Sequence, residues 1–311
     1  MQLLGAVVVL GGLALPLLRR RLDLAPATVL AGGALAPLGA AVIWPRSRTR
    51  DVAVCALQMY VYLAAYKMPN DDAAVHAARV KFDYPIALDR VLGLGELPTT
   101  RLQRALHTDG HFARFEKILV WTHWLWFATP HAALTYVGWR DRTRLVRAAL
   151  MTYAVFDLGV VAYWLAPTAP PWYAAAHGHL GEPGEDEPAP VRRLMVEYGE
   201  SFWQDGWAPL YSVLGGNPLA AMPSLHFATS AMAALLLSET GPIAGAVGVN
   251  YAILLGVALV YTGEHYVVDL LGGLALCVAV RRSEALARRP LRAAGQLISG
   301  ARRLALEPGS R

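Results

Sequence analysis

Charged side chains are scarce in this chain: Asp, Glu, Lys and Arg make up 16% of the 311 residues, while 55% are hydrophobic. A soluble globular domain carries about 25% charged residues. The deficit here is gathered into long apolar runs. Together with a mean hydropathy of +0.36, it points away from a water-surrounded fold and toward a polytopic membrane protein. Cysteine is nearly missing, and Cys55 and Cys277 each lie inside an apolar run, where they read as buried membrane residues rather than a disulfide. Neither HExxH nor a zinc-ligand spacing occurs. No internal repeat is visible, which counts against a transporter built from paired halves. Nucleic-acid modules are absent too. The net charge of +5 comes from arginine clusters between the apolar runs, where they orient a protein in a bilayer, so membrane lipids and no nucleic acid are the expected partners. No positive charge precedes the first apolar run, which argues against a secretory signal peptide. Abundant Ala, Arg, Gly and Leu suit a GC-rich bacterial genome.

What is present is a series of apolar segments at 1–18, 27–44, 51–66, 119–139, 146–166, 223–238, 243–261 and 265–280. A spanning helix needs roughly 20 apolar residues; the sixth and eighth segments are short and reach into the interface. Inside a bilayer the backbone must satisfy itself, so the segments are helices and the expected fold is all-α. Arg140, Arg142, Arg144 and Arg147 lie between the fourth and fifth segments, and Arg281, Arg282, Arg288, Arg289, Arg292, Arg302 and Arg303 fill the tail. The positive-inside rule puts both regions in the cytoplasm. The turn Glu239-Thr240-Gly241 is then inside, and the stretches 68–116 and 167–222 are outside, the first as short interfacial helices. The acidic cluster Glu182, Glu185, Asp186 and Glu187 reads as a solvated loop. At the N-terminus the pattern leaves two readings. Either the first two segments both span and Arg19-Arg20-Arg21 faces outward against the rule, or the segment around Pro26 and Pro37 is re-entrant.

Two short runs carry the chemistry. In Met222-Pro223-Ser224-Leu225-His226, proline in the first turn of a helix leaves free amides and the positive end of the helix dipole as an anion site. Ser224 adds a hydroxyl there, and His226 sits beside it. In His265-Tyr266-Val267-Val268-Asp269, the histidine and aspartate share a helix face at i and i+4. A carboxylate so placed can accept the imidazole Nδ1–H and leave Nε2 as a nucleophile. The 39 residues from His226 to His265 fit one helix down, a tight turn and one helix up, at roughly 27 Å for a leg of about 18 residues. Both motifs therefore reach the outer face together. Two histidines with separate tasks suit stepwise phosphoryl transfer, one attacking phosphorus and one protonating the leaving oxygen. His123 and His131 read as packed interface residues, His76, His107 and His111 as surface residues, and His177 with His179 as a His-Gly-His in the outer loop. Gly272-Gly273 reads as a site of close helix packing.

The pairing of Pro-Ser-Leu-His with His-x-x-x-Asp resembles the type 2 phosphatidic acid phosphatase (PAP2) superfamily. Ala166-Pro167-Thr168-Ala169-Pro170-Pro171-Trp172-Tyr173 and Asn217-Pro218-Leu219-Ala220-Ala221-Met222 resemble its inositol-phosphotransferase-like branch, which includes the inositol phosphorylceramide synthases. The resemblance implies a six-helix core over 51–280, with one or two extra membrane segments in 1–50 and a basic cytoplasmic tail at 281–311. It also implies roles. His265 is the nucleophile that forms a phosphohistidine, Asp269 its orienting carboxylate, His226 the general acid and then base, and Ser224 a phosphate ligand. The family uses no metal, and no cofactor is expected; the aspartate motif of CDP-alcohol transferases is absent as well. The family's Lys-x6-Arg-Pro motif is replaced by Pro167-Thr168-Ala169-Pro170-Pro171-Trp172, and Ala258-Leu259 stands where the phosphatases have Ser-Arg. Phosphate-binding cations must then come from elsewhere on the outer face. Lys67 and Arg90 are the first candidates, Arg192 and Arg193 weaker ones. The expected activity is phosphatase or phosphotransferase action on a lipid-linked phosphate at the extracytoplasmic face of the cell membrane. One alternative is inositol- or sugar-phosphate transfer with an alcohol acceptor. Another is a non-catalytic lipid-binding or transport protein of the same fold.

Overall fold

A computed structural model of the chain describes residues 2–181 and 189–306. Glu182, Glu185, Asp186 and Glu187 lie outside the described residues. The chain is all-α and forms a multi-pass membrane protein; among the described residues the only β features are isolated bridges. It divides into two units, Met1–Ala73 with Arg281–Arg311, and Ala74–Val280.

In the first unit α1 (Gln2–Leu18), α2 (Pro26–Ile43) and α3 (Arg48–Lys67) pack in sequence, α1 on α2 and α2 on α3. Ser47 caps α3 by accepting the Arg50 N–H. Helix α2 is unbroken through Pro37 and, by length and composition, long and apolar enough to cross a bilayer. The misplaced arginines have a local partner, since Asp71, just beyond α3, pairs with Arg19 at 2.6 Å and with Arg20 at 2.6 Å.

The second unit opens with short helices, α4 (Ala73–Ala77), α5 (Asp83–Leu92) and α6 (Pro98–Leu106), as expected for 68–116. The segment expected to span as 119–139 is two helices instead, α7 (Arg114–Leu125) and α8 (Thr129–Arg140). Pro130 explains the break. It has no N–H for the Trp126 carbonyl one turn back, and that carbonyl is met by the Thr129 N–H at 3.2 Å. After α9 (Arg142–Leu165) come three short helices, α10 (Pro171–Ala176), α11 (Leu194–Trp203) and α12 (Trp207–Leu214). Then α13 (Leu225–Ser238), α14 (Pro242–Tyr261) and α15 (Val267–Leu306) complete the chain. The last apolar segment thus does not end near Val280; its helix runs on through the tail to Leu306.

Central to this unit is α13, packed against α8, α9 and α14 with most of its side chains buried. The outer faces of α9 and α14 bare Leu158, Val161, Val247, Ile253 and Val257, a surface that calls for lipid. At one end of the bundle Arg147 pairs with Glu239 at 2.6 Å and Arg144 donates to the Glu239 carbonyl at 2.7 Å. The arginine cluster and the α13–α14 turn therefore share an end, as their charge pattern implied. At the opposite end three loops lie side by side. Lys81 bridges to Thr168, and Thr168 bridges to Ala220, so the two branch-like stretches 166–173 and 217–222 meet although some 50 residues of chain separate them.

His76 and His107 are not the surface residues their polarity suggested. His76 is buried with Nε2 3.3 Å from Asn217 Oδ1, and the His107 ring is shielded, its Nδ1 2.7 Å from Glu116. His111 is exposed. His177 stacks on Tyr173 and His179 on Phe82.

Candidate active site

The Pro-Ser-Leu-His run folds one step differently from its expected form. Pro223 precedes the helix rather than sitting in its first turn, and its carbonyl accepts from the Tyr163 hydroxyl at 2.7 Å. Ser224 is the N-cap, its Oγ accepting the Phe227 N–H at 3.3 Å. The Ser224 side chain is fully buried. Helix α13 begins at Leu225, so His226 lies in its first turn, where amides have no acceptor one turn earlier.

The second motif also differs. His265 lies before α15, not on it, because the chain after α14 folds back: the amides of Glu264 and His265 both donate to the Leu259 carbonyl, at 3.0 and 3.1 Å. Gly263 makes the reversal with φ +80, and a Cβ there would stand 2.6 Å from the Arg192 carbonyl. Asp269, in the first turn of α15, reaches back with Oδ2 to the Tyr266 N–H at 2.9 Å and to His265 Nδ1 at 3.3 Å. The expected His–Asp contact is present, made from loop to helix start rather than along one helix face.

One backbone bond ties the two motifs together, Ser224 N–H to the Asp269 carbonyl at 2.9 Å. Gly273 makes the approach possible, since a Cβ there would meet the Ser224 carbonyl at 2.5 Å. As a result His226 Nδ1 stands 3.1 Å from His265 Nε2. The tautomers follow from the partners. A carboxylate only accepts, so His265 Nδ1 carries the proton and Nε2 the lone pair. His226 Nδ1 must then be the donor, its proton aimed at that lone pair.

Two further side chains touch His226. The Trp126 ring lies 4.1 Å away by centroid, fixed by its Nε1–H donating to Thr229 at 2.8 Å. The His123 ring stands edge-on at 4.9 Å. His123 is thus no ordinary packed histidine. The available signal was its place three residues before Trp126, which puts both on one face of the chain as α7 ends.

Of the proposed cations, Lys67 ends α3 in the first unit, and Arg90 is exposed on α5. Among the described residues no hydrogen bond joins Arg90 to His226 or His265. Beside Arg90, Asp89 was overlooked in the sequence. It is fully buried and accepts the Val268 N–H at 2.9 Å, so α5 caps α15 just where Asp269 emerges. Arg193, a weaker candidate in the sequence, is the other neighbour. Its guanidinium forks onto Glu264, at 2.7 and 3.1 Å, and lies 3.9 Å over the Trp172 ring. Burial opposes charge on Glu264, but Arg193 more than offsets it and holds the carboxyl below its usual range.

Burial pushes the Asp89 carboxyl up to about 6. Its folded value exceeds its unfolded one, so between the two the folded state keeps a proton the unfolded state releases. Stability falls as pH rises through that window, from about 4 to about 6. Asp89→Asn keeps an oxygen for the Val268 N–H and removes the ionisation. The variant should melt higher than the parent at pH 8, by about 2–4 °C for each kcal/mol recovered, with no gain at pH 4. An identical shift at both pH values would show that protonation of Asp89 is not linked to folding.

The chain matches the PAP2 superfamily over residues 86–281, a stretch holding both histidine motifs. It is 31% identical over 132 residues to the inositol phosphorylceramide synthase catalytic subunit of Schizosaccharomyces pombe, covering 41% of this chain and 30% of the relative. With the inositol phosphorylceramide synthase of Candida albicans the identity is 33% over 127 residues, 40% of this chain and 26% of the relative. With the phosphoinositol dihydroceramide synthase of Bacteroides thetaiotaomicron it is 31% over 139 residues, 43% of this chain and 44% of the relative. The matches thus span less than half the length of these curated relatives. No solved structure matches.

Proposed function

The chain belongs to the PAP2 superfamily, and from that premise we propose that it is an integral-membrane phosphotransferase acting on a lipid-linked phosphate through a phosphohistidine. The observation that carries the reading is the 3.1 Å contact between His226 Nδ1 and His265 Nε2, with Asp269 behind the second ring. His265 Nε2 attacks phosphorus. The bond from phosphorus to the leaving oxygen breaks, and that oxygen takes the proton from His226. An acceptor hydroxyl then gives its proton to His226 and attacks phosphorus, and the bond to His265 breaks. Asp269 holds the Nδ1–H of His265 throughout and stabilises the charge that develops on the ring. Ser224, Lys67 and Arg90 are the proposed phosphate ligands, and no step calls for a metal.

The relatives' names describe formation of inositol-phosphoryl lipids, which favours transfer to an alcohol over hydrolysis and makes inositol, a sugar or a ceramide the alcohols to try. An extracytoplasmic site at the cell membrane is supported by charge: the arginine-rich corner paired with Glu239 lies at the opposite end of the bundle from the histidines. A direct test incubates the purified protein in EDTA with 32P-labelled phosphatidic acid or phosphatidylinositol, with each alcohol in turn. With phosphatidylinositol and a ceramide the expected product is a labelled new lipid, and with inositol or a sugar it is a labelled water-soluble phosphate ester of that alcohol. Label released with every alcohol only as inorganic phosphate from phosphatidic acid, or as inositol phosphate from phosphatidylinositol, would make the protein a hydrolase, and no turnover with any pair would remove the enzymatic reading.

A further inference from the structure

A phosphate passing through five-coordinate phosphorus in a low-dielectric site needs positive charge close by. The rings and backbone that frame the histidine pair, from His123, Trp126, Ser224 and Asp269, bring none that is permanent. One cation is nevertheless anchored next to the pair. The carboxylate of Glu264, the residue before His265, holds Arg193 through Nε and Nη2, and the plane of Trp172 supports the guanidinium from below. Trp172 is itself tied down, its N–H donating to the Gly263 carbonyl at 3.1 Å. The loop that carries Arg193 is clamped as well. The buried Gln103 side chain accepts the Arg192 N–H at 2.9 Å and donates to the carbonyls of Arg192 and Tyr261 at 2.9 and 2.7 Å. This much fixation of a surface arginine exceeds what solvation of a loop requires.

The same arginine faces a cavity. A hollow of about 420 Å3 is lined by Trp172, Ala176, Val191, Arg192, Arg193 and Glu197, within the range of small-ligand sites. A guanidinium has five N–H donors in a planar fork. Glu264 takes Nε–H and one Nη2–H and the Tyr211 hydroxyl is a further partner, which still leaves donors for a second oxyanion. The amides of Glu264 and His265 share the Leu259 carbonyl, which anchors the ion pair one residue from the histidine pair. Arg192 on the same wall is held by Glu197 and Asp109. The lining thus offers both donors and acceptors to a hydroxyl-bearing group.

We propose that Arg193, oriented by Glu264 and Trp172, binds the transferring phosphate in addition to the ligands named above, and that the cavity beside it seats the polyol portion of the head group. The inference rests on the phosphotransferase reading and adds a cation and a subsite to it. Glu264 and Trp172 are positioning residues; Arg193 is the group that touches substrate.

The test uses full-length protein in detergent and two readouts, calorimetric binding of orthovanadate and turnover of short-chain phosphatidylinositol. Arg193→Gln should weaken orthovanadate binding and lower kcat/KM, each by about 100-fold or more. Arg193→Lys should recover part of both, since it restores the charge without the fork. Because Arg193→Gln leaves Glu264 unpaired and can unfold the loop, the double variant Arg193→Gln/Glu264→Gln, which removes both charges together, is measured beside it. It too should lose orthovanadate. Parent-like orthovanadate affinity in the folded double variant, or in Arg193→Gln, overturns the assignment. A His265→Ala control separates the two levels. If it is inactive while the Arg193 variants match the parent, only the Arg193 proposal fails; if it retains full turnover, the phosphohistidine reading fails with it.

Discussion

Alanine at position 265 is expected to reduce turnover by about 10^4-fold or more, the scale for removing a covalent nucleophile, and to abolish acid-labile label on the protein. The companion His226→Ala should lose about 10^2- to 10^4-fold, with a different signature. A p-nitrophenyl ester has a leaving group that needs no proton. With it, the His226→Ala protein should still release one burst equivalent of p-nitrophenol and then stall as the phosphohistidine, because the base that activates the acceptor is gone. No burst is expected from His265→Ala. The asymmetry follows from the resting hydrogen bond, in which His226 Nδ1–H points at His265 Nε2 across 3.1 Å and Asp269 fixes the other nitrogen of His265. In the proposed reaction phosphorus takes that proton's place at the lone pair, and His226 turns its freed N–H to the leaving oxygen, which departs on the side of phosphorus opposite His265. A burst from both variants, or from neither, would reverse or remove the assignment of roles.

The second large effect comes from a residue that touches no substrate. A Cβ at Gly273 would lie 2.5 Å from the Ser224 carbonyl and 3.3 Å from the Ala228 nitrogen. Both are backbone atoms of the α13 start and cannot rotate aside. Gly273→Ala must push α15 off α13, lengthening the bond from Ser224 N–H to the Asp269 carbonyl and separating the rings. A displacement of about 1 Å can cost about 100-fold in rate, and that loss is expected with helical content unchanged by circular dichroism. Gly272→Ala is the contrast. Its nearest obstacle is the flexible Met222 side chain at 3.2 Å, so activity should stay within a few-fold of the parent. Equal loss in both variants would mean that general helix packing, not the Ser224–Asp269 junction, sets the geometry.

How much of this was legible in the sequence depends on the range of the interaction. The α13–α14 hairpin came from hydrophobic length and the spacing of two polar motifs, and its helices, Leu225–Ser238 and Pro242–Tyr261, start and stop within two residues of the expected edges. The break between α7 and α8 was hidden because apolar continuity from Leu119 to Trp139 masked Pro130, whose missing N–H decided the matter. The loop entry of His265 was hidden because a His and an Asp four residues apart meet equally well along a helix or across its first turn. Arg193, His123 and Asp89 lie 72, 142 and 176 residues before His265, counted along the chain. Their contacts depend on loops that pair without periodicity, such as Lys81 with Thr168 and Thr168 with Ala220. Of the three, only Arg193 entered the sequence reading as a phosphate-binding candidate, and then behind Lys67 and Arg90.

The two helices of the hairpin are unequal. At 1.5 Å per residue the 14 residues of α13 span about 21 Å and the 20 of α14 about 30 Å. Joined by a tight turn at one end, they leave α14 overhanging by some 9 Å at the other, and the His265 amide bonded to the Leu259 carbonyl brings the second histidine down to the lower level. The two imidazoles therefore meet at the level where the shorter helix starts, and the unequal lengths of α13 and α14 set the height in the bundle at which the histidine pair is held.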